Sequence, residues 1–400
     1  MLLQRAWSRA ARFLLLDLAA AALPNPAEAV KIGVLTDMSG VVADATGTGS
    51  VVAAQLAAED MGGTLLGQPI EIVSADDQLK PDIAGAIARR WFDLEHVDAV
   101  VDLVVTPIAL SVQQLGRDKN KIVLITGAGS QALFGASCSP TSFVWTFDTA
   151  LQSRTAVLAA PERGTKWFLI APAYSYGAEI EALMRREIAA QGGVVVGSVQ
   201  VAFGSSDYSS ALLSAQASGA GIIAFAQAGH DASTLVLQAH EFRLAASGQR
   251  LVADMLFITD IDAIGLPSID GLFVPTTFYW DADEASRAFS RRFSSHVGRP
   301  PTSLQAGVYS ATLHYLQAVK ATGTTDTATV AASMHAAPVN DATVQNGRIR
   351  SDGRLMRDMY LMQVKEPGDS HGRWDYYRIV RHIPAGELQD DMPNAGCKLN

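Results

Sequence analysis

Apolar residues along the first 130 positions gather in short runs, at 32–35, 70–73, 99–105 and 122–125, broken only by Glu71 in the second and Asp102 in the third. Between these runs the period becomes that of a helix. From Ser50, Val52 and Leu56 lie four apart on one face and Gln55 and Glu59 on another; 81–92, opened by Pro81, and 108–117 behave likewise. Such apolar runs fit strands covered on both faces, and their alternation with helices predicts βαβ units around a parallel sheet.

The pattern breaks near 135–140, passes through an extended piece at 144–147, and starts again. It predicts a helix over 151–160, a strand over 167–170 and a helix over 177–190. The last has Ile180, Leu183, Met184 and Ile188 on one face and Glu181 four before Arg185 on the other. Gly192 and Gly193 stop it, a strand follows at 194–201, and Asp207 suits the cap of a helix over 208–218. A strand at 221–226, a helix at 232–242 and strands at 256–258 and 272–274 complete the second series. Helices over 283–296 and 304–321 and strands over 359–364 and 376–383 end the chain. The expected fold class is α/β, with two doubly wound parallel-sheet lobes joined by several crossings that make a hinge. The expected division is 30–147 for the first lobe, 148–274 for the second and 275–345 returning to the first. Residues 346–400 then complete the second lobe and form the carboxyl tail.

Four hundred residues, 48% apolar and 18% charged, supply core material for two domains rather than one. The net charge of −9, with no basic run beyond the amino terminus, argues against a nucleic-acid partner. Residues 1–29 read as an export signal: Arg5, Arg9 and Arg12 form a basic region, 13–23 an apolar one, and Ala27-Glu28-Ala29 a small-x-small cleavage site. Cleavage there leaves a mature chain of net charge −10, expected to be soluble. In an exported chain the two cysteines, Cys138 and Cys397, are expected to pair and to tie the tail back across a long loop.

Catalytic signatures are poor. There is no G-x-S-x-G, H-E-x-x-H, P-loop or C-x-x-C, and the glycines at 47, 49, 127 and 129 lack dinucleotide spacing. The histidines are scattered, so neither a metal site nor a cofactor is expected. Polar residues do recur just past the strand ends: Ser39, Thr106, Gly129 and Ser130 in the first lobe, and Tyr174, Tyr176, Gln227, His230 and Asp260 in the second. On facing lobe edges such groups would hold a zwitterion or carboxylate, with Asp260 as an ammonium partner. A hydrolase or dehydrogenase would instead require Asp260, His230 and a hydroxyl to converge.

KIGVLTDMSG (31–40), KNKIVLITGAGS (119–130), CSP (138–140), FITD (257–260), QAGVYSATLHYL (305–316), GRIRSDGR (347–354), DMYLMQVKEP (358–367) and WDYYRIV (374–380) carry a resemblance. Together they resemble the substrate-binding proteins of branched-chain amino acid ABC transporters, over essentially the whole mature chain. The resemblance implies a type I periplasmic-binding-protein fold with three hinge crossovers. It also implies a small amino acid, carboxylate or amide trapped between the lobes, an inner-membrane permease as partner, a monomer, a periplasmic location and no catalysis. A ligand sensor of the same fold acting on a regulator is the alternative. Carried over residue by residue, Gly129, Ser130 and Thr106 would contact a carboxylate, Tyr174 or Tyr176 would pack over the ligand, and Asp260 would pair with an ammonium. Phe147, in the first crossover, would reach the cleft. Relatives usually read S-G-P-Y where this chain has Ser39-Gly40-Val41-Val42. The loss of that aromatic wall points to a ligand other than the usual one, with aromatic acids, amides and urea as candidates.

Overall fold

A computed structural model describes residues 29–160, 162, 164–202, 204–269, 271–387 and 396–399. The expected export signal lies outside the described residues. In chain order the first stretch comprises β1 (Val30–Thr36), α1 (Gly47–Asp60), β2 (Thr64–Leu65), β3 (Gln68–Asp76), α2 (Pro81–Asp93), β4 (Ala99–Asp102), α3 (Thr106–Asp118), β5 (Ile122–Ile125) and β6 (Ser142–Val144). They form a six-stranded sheet of order β2-β3-β1-β4-β5-β6, parallel except where β2 meets β3. Every residue of β4 and β5 is buried, as expected of strands with helices over both faces.

The second lobe follows with α4 (Thr149–Val157), β7 (Lys166–Pro172), α5 (Ser175–Ala190), β8 (Val194–Val201), α6 (Ser209–Ala217), β9 (Ile222–Phe225), α7 (His230–Glu241), β10 (Arg250–Ala253), α8 (Ile258–Ile264) and β11 (Phe273–Thr276). Then α9 (Glu284–Val297), α10 (Ser303–Thr322) and α11 (Thr327–Ala336) return to the first lobe, where their apolar faces share a core with β1 and α1. The hairpin β12 (Arg348–Ile349) and β13 (Leu355–Met356) precedes β14 (Met359–Val364) and β15 (Tyr377–Ile383). The second sheet has the order β15-β14-β11-β10-β9-β7-β8, its last two strands in chain order antiparallel.

Two differences from the sequence reading matter. The strand expected at 256–258 is β10, six residues earlier; 256–258 is instead the approach to α8, whose first turn is capped by Asp260 accepting the Phe257 N–H at 2.8 Å. The expected boundary at 346 is also displaced. Ile349 and Leu355 are buried in the first lobe's core, and the Val144 N–H donates to the Gly353 carbonyl at 2.9 Å. The hairpin therefore belongs to the first lobe, because its apolar face is covered there. The tail is tied back as expected, Cys397 being disulfide-bonded to Cys138 of the first lobe.

The chain thus passes between the lobes at 146–148, 277–283 and 357–358. Two buried arginines hold these passages side by side. Arg354 Nε lies 2.6 Å from Asp148 Oδ2, both side chains 1% exposed, and the guanidinium covers the Phe134 ring. Arg357 donates through Nη2 to the carbonyls of Thr277 (3.0 Å) and Thr343 (2.8 Å). Two predictions follow from this hinge. Arg354→Met or Asp148→Leu alone leaves a buried charge without its ion-pair partner and should cost about 3–5 kcal/mol in urea unfolding, whereas the double variant should recover part of that loss, less the cap that Asp148 gives α4. Cys138→Ser should cost about 2–5 kcal/mol by the same measurement, the loop it releases being long.

Candidate ligand-binding cleft

The opening loop illustrates how the first lobe's edge is built. Asp37, buried at the end of β1, accepts the N–H groups of Gly40 at 2.7 Å and Val42 at 3.1 Å. A β-carbon on Gly40 would meet that carboxylate at 2.7 Å. The far side of the loop is pinned from α10: Thr302 Oγ1 donates to the Ala45 carbonyl at 2.6 Å, and Gln305 Nε2 to that of Thr46 at 2.7 Å. The loop's own N–H groups are therefore turned onto Asp37 rather than offered to a phosphate.

The lobes are in contact. Glu179 of α5 reaches across to the loop after β5, accepting from Ser130 Oγ at 2.7 Å and from the Gln131 N–H at 3.0 Å, while Thr149 Oγ1 donates to it at 2.5 Å. A β-carbon at Gly229 (φ +59°), before α7, would lie 3.5–3.6 Å from Val41 and Val42 of the opening loop. Ala45 and Leu304 of the first lobe, Phe257 of the second and Phe147 of the first passage form one small apolar cluster between them. Gly129 must be glycine, because a β-carbon there would sit 2.8 Å from the Phe147 ring and 2.9 Å from Asp148 Cα.

Against this closed edge the second lobe presents buried polar atoms that have no hydrogen-bond partner among the described residues. They are both oxygens of Asp254, both amide atoms of Gln227, the Tyr176 hydroxyl and Gln152 Oε1. Asp254 follows β10, Gln227 follows β9, and Gln152 Nε2 donates to the Asp254 carbonyl at 3.0 Å. Burial alone pushes the Asp254 carboxyl up to about 7. Burial, and then the Asp254 charge, holds the Tyr176 phenol well above its usual value. Native chains rarely leave buried polar groups unpaired, and the crevice at the strand ends is where open α/β sheets bind ligands.

The sequence-expected residues separate on this geometry. Gly129, Ser130, Phe147, Tyr176 and Gln227 are buried or half-buried around the interlobe edge. Tyr174 caps α5, 46% exposed, and stacks on Tyr176 at 5.9 Å. Thr106 opens α3, half-buried beyond β4. Ser39 is exposed and donates to Asp76 at 2.6 Å, and His230 is exposed in the first turn of α7. Asp260 spends its carboxylate on the Phe257 N–H; burial raises its pKa to about 6. Sequence reasoning missed Asp254, Gln152 and Glu179. Asp254 was within reach of the strand-end argument and escaped because β10 was placed six residues too late.

Two α/β lobes crossed three times, closing on buried unpaired polar groups, define a cleft-type small-molecule binding protein. The chain belongs to the periplasmic binding protein family, whose model matches residues 29–370. No curated protein matches it. Among solved structures it is similar to a branched-chain amino acid ABC transporter periplasmic ligand-binding protein from Burkholderia xenovorans. The identity is 42% and the TM-score 0.85, over 90% of this chain and 96% of that one. A periplasmic binding protein from Burkholderia mallei is 37% identical with a TM-score of 0.83, over the same shares. A solute-binding protein of R. palustris in complex with benzoate shares the fold at 22% identity and a TM-score of 0.79, over 93% of this chain and 100% of that one.

Asp254 makes the ligand-free protein pH-sensitive in a defined direction. Its folded pKa of about 7 exceeds the value near 3.9 of an unfolded aspartate, so the unfolded chain loses this proton first. The penalty is absent below pH ~4, and stability falls as pH rises through 4–7. Asp254→Asn should therefore stabilise the ligand-free protein at pH 8 by ~1–4 kcal/mol and leave it unchanged near pH 4, as read by thermal unfolding at both pH values.

Proposed function

We propose that this chain is the exported solute receptor of an ABC importer, acting as a monomer without cofactor or catalysis. It takes a small zwitterion, an amino acid first of all, between its lobes and hands it to an inner-membrane permease. The observation that carries this reading is Asp254, whose two oxygens are fully buried and without a partner among the described residues. A closed cleft strips water from the ligand, so each charged group on it needs a partner. The Asp254 carboxylate would take the ammonium, with Tyr176 and Gln227 beside it. Gly129, Ser130 and Thr106, at the first lobe's edge, would take the carboxylate. In this assignment Asp254 replaces Asp260, which is occupied by the cap of α8. Family membership supports the periplasmic location, as does the export pattern of residues 1–29.

A second reading has its own support. A carboxyl with a pKa of about 7 is half protonated at neutral pH and can donate to a ligand carboxylate, and the stacked Tyr174 and Tyr176 offer an aromatic wall. That combination suits an aromatic acid. R. palustris relatives of the same fold were solved with benzoate and with 4-hydroxybenzoate. Calorimetric titration of amino acids, aromatic acids and small amides into the wild type and Asp254→Ala separates the two. For an amino acid the variant should lose about 2–5 kcal/mol of affinity. Binding of an aromatic acid and of no amino acid, weakened by the variant and tightening in the wild type as pH falls through 7, would establish the second reading, and no heat from any of the three classes would overturn the receptor assignment.

A further inference from the structure

We propose that a cavity at the back of the hinge is a second binding site, for a small organic anion. The cavity, of about 270 Å³, lies between the second and third passages and is walled by both lobes. Its polar feature is Arg357, 2% exposed, whose Nε and Nη1 have no hydrogen-bond acceptor among the described residues. Only Nη2 is used, on the Thr277 and Thr343 carbonyls. Asp341 and Asp358 offset part of the guanidinium's desolvation through space, and an oxyanion on the idle donors would offset more.

The acidic groups nearby do not fill that role, because their oxygens are already engaged. Asp283 accepts from the Ser286 N–H at 2.7 Å and from Gln345 at 3.4 Å. Asp358 bonds His382 Nε2 at 2.8 Å and the Ala385 N–H at 2.8 Å. Asp341 is held by Ser310, Thr343 and the Val344 N–H. Burial lowers the Arg357 pKa to about 10, which leaves it fully charged at neutral pH. The remaining wall is mixed, with Asp283, Gln345, Asp358 and His382 on its polar side and Phe278, Tyr360, Val344 and Ala282 on its apolar side. A charged end at Arg357 and an apolar body against these side chains describe a short-chain carboxylate better than a bare inorganic ion.

This site is distinct from the interlobe cleft. None of Asp254, Gln227, Tyr176 or Gly129 touches it, and Thr277 stands between the two, lining the hinge cavity on one side and a small gap with Phe147 and Gln152 on the other. An occupant would press on two of the three passages that must bend when the lobes open, so its binding would be linked to closure.

Isobutyrate is the probe, titrated calorimetrically into the whole mature protein. Saturable binding to the wild type is expected, weakened at least about tenfold by Ala282→Leu, which narrows the cavity at its rim, and within about twofold in Asp254→Ala. Arg357→Met should abolish it; should that variant fail to fold, Ala282→Leu decides. Inorganic phosphate should bind more weakly, and equal or tighter phosphate binding would overturn the organic class. No isobutyrate binding, or binding lost in Asp254→Ala but kept in Ala282→Leu, would overturn the site. The second of these outcomes would place the probe in the cleft and leave the receptor assignment standing.

Discussion

The structure depends on two buried guanidiniums three residues apart. Arg354 and Arg357 stand on either side of the point where the chain makes its third passage, and each fastens that passage to an earlier one: Arg354 to Asp148, Arg357 to the Thr277 carbonyl. Charges removed from water tolerate little error in the position of their partners, so these contacts favour one arrangement of the crossings over a set of near alternatives. Segments 148, 277 and 354–357 are far apart in sequence and meet only because the lobes are built by repeated return. These contacts keep the passages in register.

On the cleft side the same economy applies in reverse. Gly129, Phe147 and Asp148 are packed so closely that a β-carbon does not fit, and Glu179 ties α5 to the loop carrying Ser130. Around this closed rim the apolar contacts are satisfied and the polar ones on the second lobe are not. In the proposed receptor, Asp254, Gln227 and Tyr176 are where folding stability is given up in favour of the ligand. The raised pKa of Asp254 is the electrostatic expression of that sacrifice.

The opening loop shows where sequence argument succeeds and where it stops. Its position after an apolar strand and before a helix placed it at the carboxyl edge of a sheet, and it lies there, with Val41 and Val42 beside Gly229 of the opposite lobe. Its shape is another matter. Asp37 gathers the loop's N–H groups, and Thr302 and Gln305, some 257–259 residues away, hold its end. No local pattern announces a partner at that separation. Ser39, the loop's most conspicuous hydroxyl, donates to Asp76 within its own lobe.

What the sequence determined by itself is the alternation of buried strands and amphipathic helices, the two lobes and their repeated crossing. These follow from burial on both faces of a parallel sheet and are written locally, a few residues at a time. Only the tertiary structure decided which acid is left without a partner. Asp254 and Asp260 both follow apolar residues near the same strand, and local pattern favoured Asp260. The three-dimensional reason is plain: Asp260 is the third residue of α8 and turns its carboxylate back to the Phe257 N–H, whereas Asp254, directly after β10, has no partner within the described chain. The buried arginines were likewise visible as letters in GRIRSDGR, but their partners come from distant segments, and burial and pairing are properties of the assembled fold.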